Sequence, residues 1–330
     1  MPRLANLDDV FFAVEMRPLF VKHGSEDMRV PDRQAIVEAR TGRVLGVVSR
    51  AYRLVTHEEA LDLAFECARS AFPETKTAEW APAAVDAPAT GATCIIDLTH
   101  NSAALDFSCL AATDRPDSYG PFVRVTNSYN GTRALGFDIG YYRKVCKNGL
   151  ILRDSLIQFR MSHQRRDIGA RIRFEIAHDK LDKQRQDFID FLAKLQGYDV
   201  PEAMIGRFAC GVLGFRPPDD ADLPNDHPRC MAWRELARTV DETSDRYCRE
   251  LGANANTVLN VVTDIASHPP ESQAVRRDRH GLQRRAGQWA SGFATVCEDD
   301  GFDLMKYLEA LEKPGVDPDK LGRGVALAEA

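Results

Sequence analysis

The spacing of hydrophobic positions changes along this chain and separates a β-rich part from a helical part. Between Ala92 and Ile176, short runs such as TCIIDLTH, GPFVRVTNSY and LIQFRMS are rich in β-prone residues and are separated by turn residues. Within LIQFRMS, apolar and polar side chains alternate, a period of two that is typical of strands with one buried face. The stretch predicts an antiparallel array of hairpins.

Helical spacing flanks that array on both sides. Thr56 and Glu59 predict a capping box at the start of a helix, because apolar residues recur at every third or fourth position after them. The pattern beyond residue 177 is helical again. It predicts three late helices, Trp233–Leu251, Thr257–Ser267 and Leu282–Val296.

These patterns together predict an α+β fold class with two regions. Residues 1–178 are expected to form an α+β domain with an antiparallel sheet and packed helices. Residues 179–330 are expected to form a mainly helical region. The linker at residues 216–229 interrupts that region, since its four prolines and four aspartates disfavour regular structure.

Bulk composition restricts the class of protein. The chain has 330 residues, 44% of them hydrophobic, which suffices for one or two cores. No apolar run approaches the length of a membrane span, and the N-terminus lacks a secretion signal, so a cytoplasmic protein without a membrane partner is expected. The eight cysteines form no CxxC pair and are expected to be reduced.

The sequence also lacks the usual cofactor signatures. The eight histidines show no i, i+4 pairing with ligand spacing, so no metal site is assigned. Neither a GxxxxGK nor a GxGxxG element occurs, which argues against ATP hydrolysis and dinucleotide chemistry. We therefore expect no cofactor.

Positive charge is concentrated in one segment of an otherwise acidic chain. The whole protein has a net charge of −6, whereas Arg143–Arg185 holds twelve Lys or Arg against five Asp or Glu. Such a local excess is what contacts to nucleic-acid phosphates require. The candidate nucleic-acid-binding residues are Arg143, Lys144, Lys147, Arg160, Arg165, Arg166, Arg171 and Arg173. The alternative interpretation is an ordinary solvated face of a hairpin.

Aromatic side chains close to this segment suggest how a single strand would be held. Tyr129, Tyr141, Tyr142 and Phe159 would stack on bases if they were exposed. For Tyr141 and Tyr142 the alternative is that they are core or half-buried residues of the sheet, and Phe159 falls on the apolar face of its strand.

Cys146 raises a catalytic alternative. It is flanked by Lys144 and Lys147, whose charge would lower the pKa of a thiol, and His163 and His178 follow downstream. A buried cysteine in a turn explains the same residues, so no catalytic residue is assigned.

The segment from Asn127 to Gly149 contains a distinctive motif. Asn130 and Gly131 predict a tight turn of type I′, since both residues tolerate a positive φ. The motif positions are Asn127, Ser128, Asn130, Gly131, Thr132, Arg143, Val145, Cys146, Asn148 and Gly149. In this pattern the chain resembles the phage/plasmid-like protein family, a domain of unknown function found in prophages, plasmids and bacterial genomes.

This resemblance implies a mobile-element context and supplies no established activity. The outline of the hairpin array and following helix is also similar to the cores of phage single-strand-annealing proteins. The first hypothesis is thus a nucleic-acid-binding accessory protein of a mobile element that binds or anneals single-stranded DNA. A cysteine-dependent enzyme centred on Cys146, and a noncatalytic homo-oligomeric or partner-binding protein with a regulatory or anti-defence role, are the alternatives.

Overall fold

The computed structural model describes residues 3–4, 6–101, 105–106, 118–143, 148–149, 157–163, 176, 178–218, 224–270 and 279–321. The chain divides into two compact units. The first holds residues 1–103, 120–140 and 157–181, and the second holds residues 104–119, 141–156 and 182–330. Antiparallel sheets are followed by a mostly helical C-terminal part, which confirms the α+β prediction.

The first unit contains a small antiparallel sheet near the N-terminus. Strand β1 (Arg3–Leu4) and helix α1 (Leu7–Val10) precede it. Its strands are β2 (Val14–His23), β3 (Glu26–Glu38) and β4 (Val44–Ser49), paired in the order β2-β3-β4. The buried residues of its inner face, Ile36, Leu45 and Val48, pack with Ala92 and Tyr129 in one hydrophobic cluster.

Helix α2 (His57–Ala71) begins where the sequence predicts it. The Thr56 hydroxyl accepts a hydrogen bond from the Glu59 amide at 3.0 Å, and the Glu59 carboxylate accepts one from the Thr56 amide at 2.7 Å. These two bonds satisfy donors that a helix N-terminus otherwise leaves open. The capping box is therefore confirmed.

A larger antiparallel sheet follows a short 3₁₀ turn at Thr77–Glu79. Its strands are β5 (Trp80–Pro88), β6 (Thr93–His100), β7 (Leu105–Asp106), β8 (Ser118–Ser128), β9 (Leu135–Arg143), β10 (Asn148–Gly149) and β11 (Ile157–Met161). The order is β1-β5-β6-β8-β9-β10, with β11 also paired to β9 and β7 to β8. Strand β6 pairs antiparallel with β8, and in this register Asp97 lies opposite Arg124.

Helices dominate the second unit. They are α3 (His178–Gln196), α4 (Glu202–Leu213), α5 (Pro228–Leu251), α6 (Ala255–Ser267), α7 (Arg279–Val296), α8 (Leu304–Leu311) and α9 (Pro318–Leu321). The core of this unit is aromatic: the rings of Trp289 and Phe293 lie 5.3 Å apart, and Phe208 and Tyr307 stack at 6.3 Å. Across the described part of the chain, no helix combines the length and apolar character needed to cross a membrane.

Candidate functional site

Arg160 is the predicted nucleic-acid-binding residue whose side chain the structure describes. It lies on β11, where Phe159 and Met161 are buried and Gln158 and Arg160 are exposed, so the predicted alternation is confirmed over these residues. Its strand partner is Gly136 on β9. A Cβ added at Gly136 would lie 2.6 Å from the Arg160 Cδ, so the arginine side chain lies directly over the glycine.

The guanidinium of Arg160 is oriented by groups of its own sheet. Nη1 donates to the carbonyls of Phe137 at 3.2 Å and Phe159 at 3.1 Å, and Nη2 donates to the Asp138 carboxylate at 2.7 Å. The side chain is nevertheless 44% exposed, whereas that of Asp138 is 1% exposed. Among the described residues, nothing accepts a hydrogen bond from its Nε. Arg160 is thus a positioned cation with one side open to solvent.

A second arginine of the same sheet is buried. Arg124, on β8, is 2% exposed, and its Nε and Nη2 donate to the Asp97 carboxylate at 2.5 and 2.7 Å. Burial alone would lower the pKa of Arg124, but attraction by Asp97, Asp138 and Asp86 raises it above its ordinary value. The residue stays charged inside the sheet. Sequence reasoning missed it, and the one available signal was a charged residue inside the apolar run FVRV.

The other predicted basic residues are placed only in part or not at all. Arg143 is the last residue of β9 and pairs in register with Asn148, and its side chain is outside the described residues. Lys144, Lys147, Arg165, Arg166, Arg171 and Arg173 also lie outside the described residues. The basic track stays a prediction.

The first half of the family motif forms a buried polar network. Asn127 Nδ2 donates to the Val55 carbonyl at 2.9 Å and to His57 Nδ1 at 3.1 Å, and His57 Nε2 lies 2.9 Å from the Gly91 carbonyl. Since the Gly91 carbonyl can only accept a hydrogen bond, the ring proton of His57 is assigned to Nε2, which leaves Nδ1 free to accept a hydrogen bond from Asn127. Burial lowers the pKa of His57 to about 4, so the ring is neutral at physiological pH.

Two tyrosines extend this network. Tyr52 donates from its hydroxyl to the Ser128 carbonyl at 2.6 Å, and the Tyr129 hydroxyl accepts from the His57 amide at 2.9 Å. The rings of His57 and Tyr129 stack with centroids 4.0 Å apart. Burial raises the pKa of both tyrosines. The network fastens the end of β8 to the start of α2, which is an architectural role.

The turn predicted at Asn130 and Gly131 is wrong in type. A two-residue type I′ turn was expected, yet the loop between β8 and β9 has six residues, 129–134. The Asn130 side chain accepts from the amide and the hydroxyl of Thr132, at 3.1 and 2.6 Å, and the Ser128 hydroxyl donates to the Arg133 carbonyl at 2.7 Å. These side chains close a longer loop, in which Gly131 has a positive φ of +70°.

Three of the aromatic residues proposed as stacking platforms are buried. Tyr129 is 1% exposed, Phe159 7% and Tyr142 9%, while Tyr141 is half-buried. As placed, Tyr129, Phe159 and Tyr142 serve packing and are not available to bases. The burial of Tyr142 and the half-buried position of Tyr141 fit the alternative interpretation of these two residues.

The described residues give no geometric support to the alternative of an enzyme centred on Cys146. Cys146 lies outside them, and of His178 only the backbone is described. His163 is buried and stacks on Tyr52 at 4.5 Å, and burial lowers its pKa. Burial also raises the pKa of several described thiols, which disfavours thiolates: Cys67, Cys94, Cys210, Cys248 and Cys297. No cluster suited to a metal ion occurs among the described residues.

A comparison with protein-family models assigns the chain to a family. A family model described as "Domain of unknown function (DUF932)" matches residues 106–288, which is more than half of the chain. No curated protein and no solved structure matches. The matched segment contains the motif from Asn127 to Gly149, whereas Tyr52 and His57, which contact that motif, precede it. The chain belongs to the DUF932 family of domains of unknown function.

Proposed function

We propose that this protein binds nucleic acid as an accessory factor of a mobile element, with single-stranded DNA as the preferred ligand and annealing as its use. The proposal rests on the basic segment Arg143–Arg185, whose twelve Lys or Arg face five Asp or Glu in a chain of net charge −6. Phosphate contacts by such residues release condensed counterions, which favours binding at moderate salt.

Arg160 adds a geometric argument. Its guanidinium is held by Asp138 and two carbonyls, and 44% of the side chain faces solvent. A phosphate that approaches the exposed edge therefore meets a cation whose rotamer entropy is already partly lost. The remaining basic residues of the segment would continue this surface.

The test is fluorescence anisotropy with a labelled oligonucleotide, single- or double-stranded, over a range of salt concentrations. The association constant is expected to fall steeply as salt rises. In a plot of the logarithm of the association constant against the logarithm of the salt concentration, each phosphate contact of a single strand contributes about 0.7 to the slope. Replacing Arg165 and Arg166 together by alanine is therefore expected to reduce the slope by about 1.4, and Arg160→Met by about 0.7.

Arg40→Met is the matched control. Arg40 belongs to the same unit, is 89% exposed and lies 3.9 Å from Glu38, outside the basic segment. Arg40→Met removes the same charge as Arg160→Met and is expected to leave the salt dependence of binding unchanged. Absence of binding at low salt, or an equal effect of both variants, would contradict the proposal.

A noncatalytic partner-binding role is favoured by a different observation. The outer part of the β2–β3 hairpin exposes large apolar side chains: Phe20 is 53% exposed, Val21 50% and Met28 51%. Exposed apolar groups of this kind are common in association surfaces. Light scattering with and without oligonucleotide separates the two roles: a mass that exceeds the monomer without DNA, and falls in Val21→Ser, would favour self-association through this hairpin.

A further inference from the structure

The helical unit contains a cleft that the proposed nucleic-acid surface does not use. It lies between α4 and α5 beside the end of α8 and encloses about 950 Å³, within the size range of sites for small molecules. Its apolar wall is formed by Phe215, Trp233 and Val240. Phe215 and Val240 are buried, and Trp233 is half-buried.

The polar wall of the cleft carries an excess of negative charge. Arg207 is neutralised by Glu312, to which its Nε and Nη2 donate at 2.8 Å each. Three further carboxylates line the cleft, and no described residue forms an ion pair or hydrogen bond with their side chains: Glu202, Asp241 and Asp245. Arg216, the other cation of the lining, donates to the Lys313 carbonyl.

Two of these carboxylates lie on the same face of α5. Asp241 and Asp245 are one helical turn apart, so their charges repel unless a cation lies between them. Burial raises the pKa of the neighbouring Cys210 thiol to about 12, and the charges of Asp241 and Glu312 add to this rise.

A buried hydroxyl without a partner lies beside the carboxylates. Ser244 is 6% exposed, and among the described residues its Oγ makes no hydrogen bond. Buried hydroxyls are usually paired, so the unpaired Ser244 hydroxyl in the cleft lining is available to a polar group of a ligand. Gly206 of α4 lies close to this group: a Cβ there would lie 3.9 Å from Ser244 Oγ, 3.7 Å from Asp241 Oδ1 and 3.2 Å from Val240 Cγ1.

We propose that this cleft binds a small aliphatic amine with more than one ammonium group. One ammonium would donate to the carboxylates of Asp241 and Asp245 and to the Ser244 hydroxyl. The aliphatic chain would pack on Phe215 and Val240, and the face of Trp233 would attract the cation. The site uses no residue of the basic segment, since the residues that line the cleft all lie between Glu202 and Glu312 in the sequence.

Isothermal titration of the full chain tests this site, with 1,4-diaminobutane and spermidine as probes and 1,4-butanediol as the uncharged analogue. The amines are expected to bind saturably at one site in 150 mM salt, and the diol is not. Asp241→Asn is expected to weaken amine binding by about tenfold or more, because it removes a charged hydrogen-bond acceptor. Asp241 is exposed, so we expect this variant to keep the fold.

Glu242→Gln is the matched control. Glu242 neighbours Asp241 on α5, is 72% exposed and is not part of the cleft lining. The control removes the same charge and is expected to leave amine affinity unchanged. Equal weakening in both variants would reduce the amine effect to general attraction by an acidic protein and would overturn the proposal, as would the absence of saturable binding.

Ser244→Ala supplies a readout that a structural role would not give. It removes an unpaired buried hydroxyl, so the thermal midpoint of the free protein is expected to rise. Amine affinity is expected to fall by about threefold or more, because one hydrogen bond is lost. A rise in the midpoint with unchanged affinity would show that the hydroxyl does not face the ligand and would overturn the assignment.

Discussion

Two arginine–aspartate pairs of the large sheet have the same chemistry and opposite surroundings. Arg124 pairs with Asp97 across β6 and β8, and only 2% of its side chain is exposed. Arg160 pairs with Asp138 across β9 and β11, and 44% of its side chain is exposed. This difference in exposure determines what each cation can do. The buried guanidinium of Arg124 can only stabilise the fold, whereas the half-exposed guanidinium of Arg160 remains accessible to a ligand on one side.

The buried pair shows the energetic cost of placing a charged side chain inside the sheet. A charge removed from water loses several kcal/mol of hydration, which only close opposite charges compensate. Asp97 is the direct partner of Arg124, and Asp138 and Asp86 attract it as well. Since Asp138 interacts with both arginines, it links the buried pair to the half-exposed one.

The largest expected effect comes from breaking the buried pair. Arg124→Met leaves the Asp97 carboxylate without its partner, and we expect the free energy of unfolding to fall by about 3–5 kcal/mol. Urea denaturation followed by circular dichroism measures this change.

A double variant serves as the control for that experiment. Arg124→Met combined with Asp97→Leu removes both charges, so part of the lost stability is expected to return, as for other buried pairs replaced by apolar residues. A double variant that is less stable than Arg124→Met alone would contradict a mainly electrostatic role for the pair.

A pH effect of intermediate size on stability is expected from the buried polar network around His57. Burial lowers the pKa of His57 to about 4 from an ordinary value of 6.5. Between these values the unfolded chain binds a proton that the folded chain does not, so stability is lost as the pH falls through this window. The complete loss amounts to about 3 kcal/mol, and His163, whose pKa is also lowered, adds to it in the same direction.

Urea denaturation at pH 7 and pH 4.5 measures that loss. In His57→Gln the difference in stability between the two pH values is expected to shrink, whatever the absolute stability of the variant. His23→Gln is the matched control, because His23 is exposed at the end of β2. A pH dependence that is the same in His57→Gln and the natural chain would assign the effect to other groups.

Local patterns predicted much of the fold, because their causes are close together in the sequence. The capping box joins Thr56 to Glu59, three residues apart, and the alternation of β11 needs only neighbouring residues. The three late helices end at Leu251, Ser267 and Val296, as their periodicity predicts.

The polar interior could not be predicted in the same way. Asn127 contacts His57 across 70 residues of chain, and Tyr52 contacts Ser128 across 76. Sequence patterns contain no signal for such pairs, since they depend on how strands and helices pack. For the same reason Arg124 was missed, and the motif was assigned a two-residue turn although side chains of a longer loop close it.

A smaller effect on stability is expected for the half-exposed pair. Arg160→Met removes an ion pair whose cation is 44% exposed and whose Asp138 carboxylate is buried, so the free energy of unfolding is expected to fall by about 1–3 kcal/mol, less than in Arg124→Met. Arg124 continues to attract the Asp138 carboxylate in this variant. A loss as large as that of Arg124→Met would show that Arg160 is also committed to the fold, and would remove the contrast between the two pairs.

The smallest expected effect on stability separates the orientation of Arg160 from its charge. In Gly136→Ala the new Cβ would lie 2.6 Å from Arg160 Cδ, so the flexible arginine side chain must move away while its charge remains. We expect stability to change by about 0.5 kcal/mol or less, because alanine is also the better strand residue. If orientation matters, oligonucleotide affinity falls as in Arg160→Met; if affinity is unchanged, charge alone is sufficient and the contacts to Asp138 are structural.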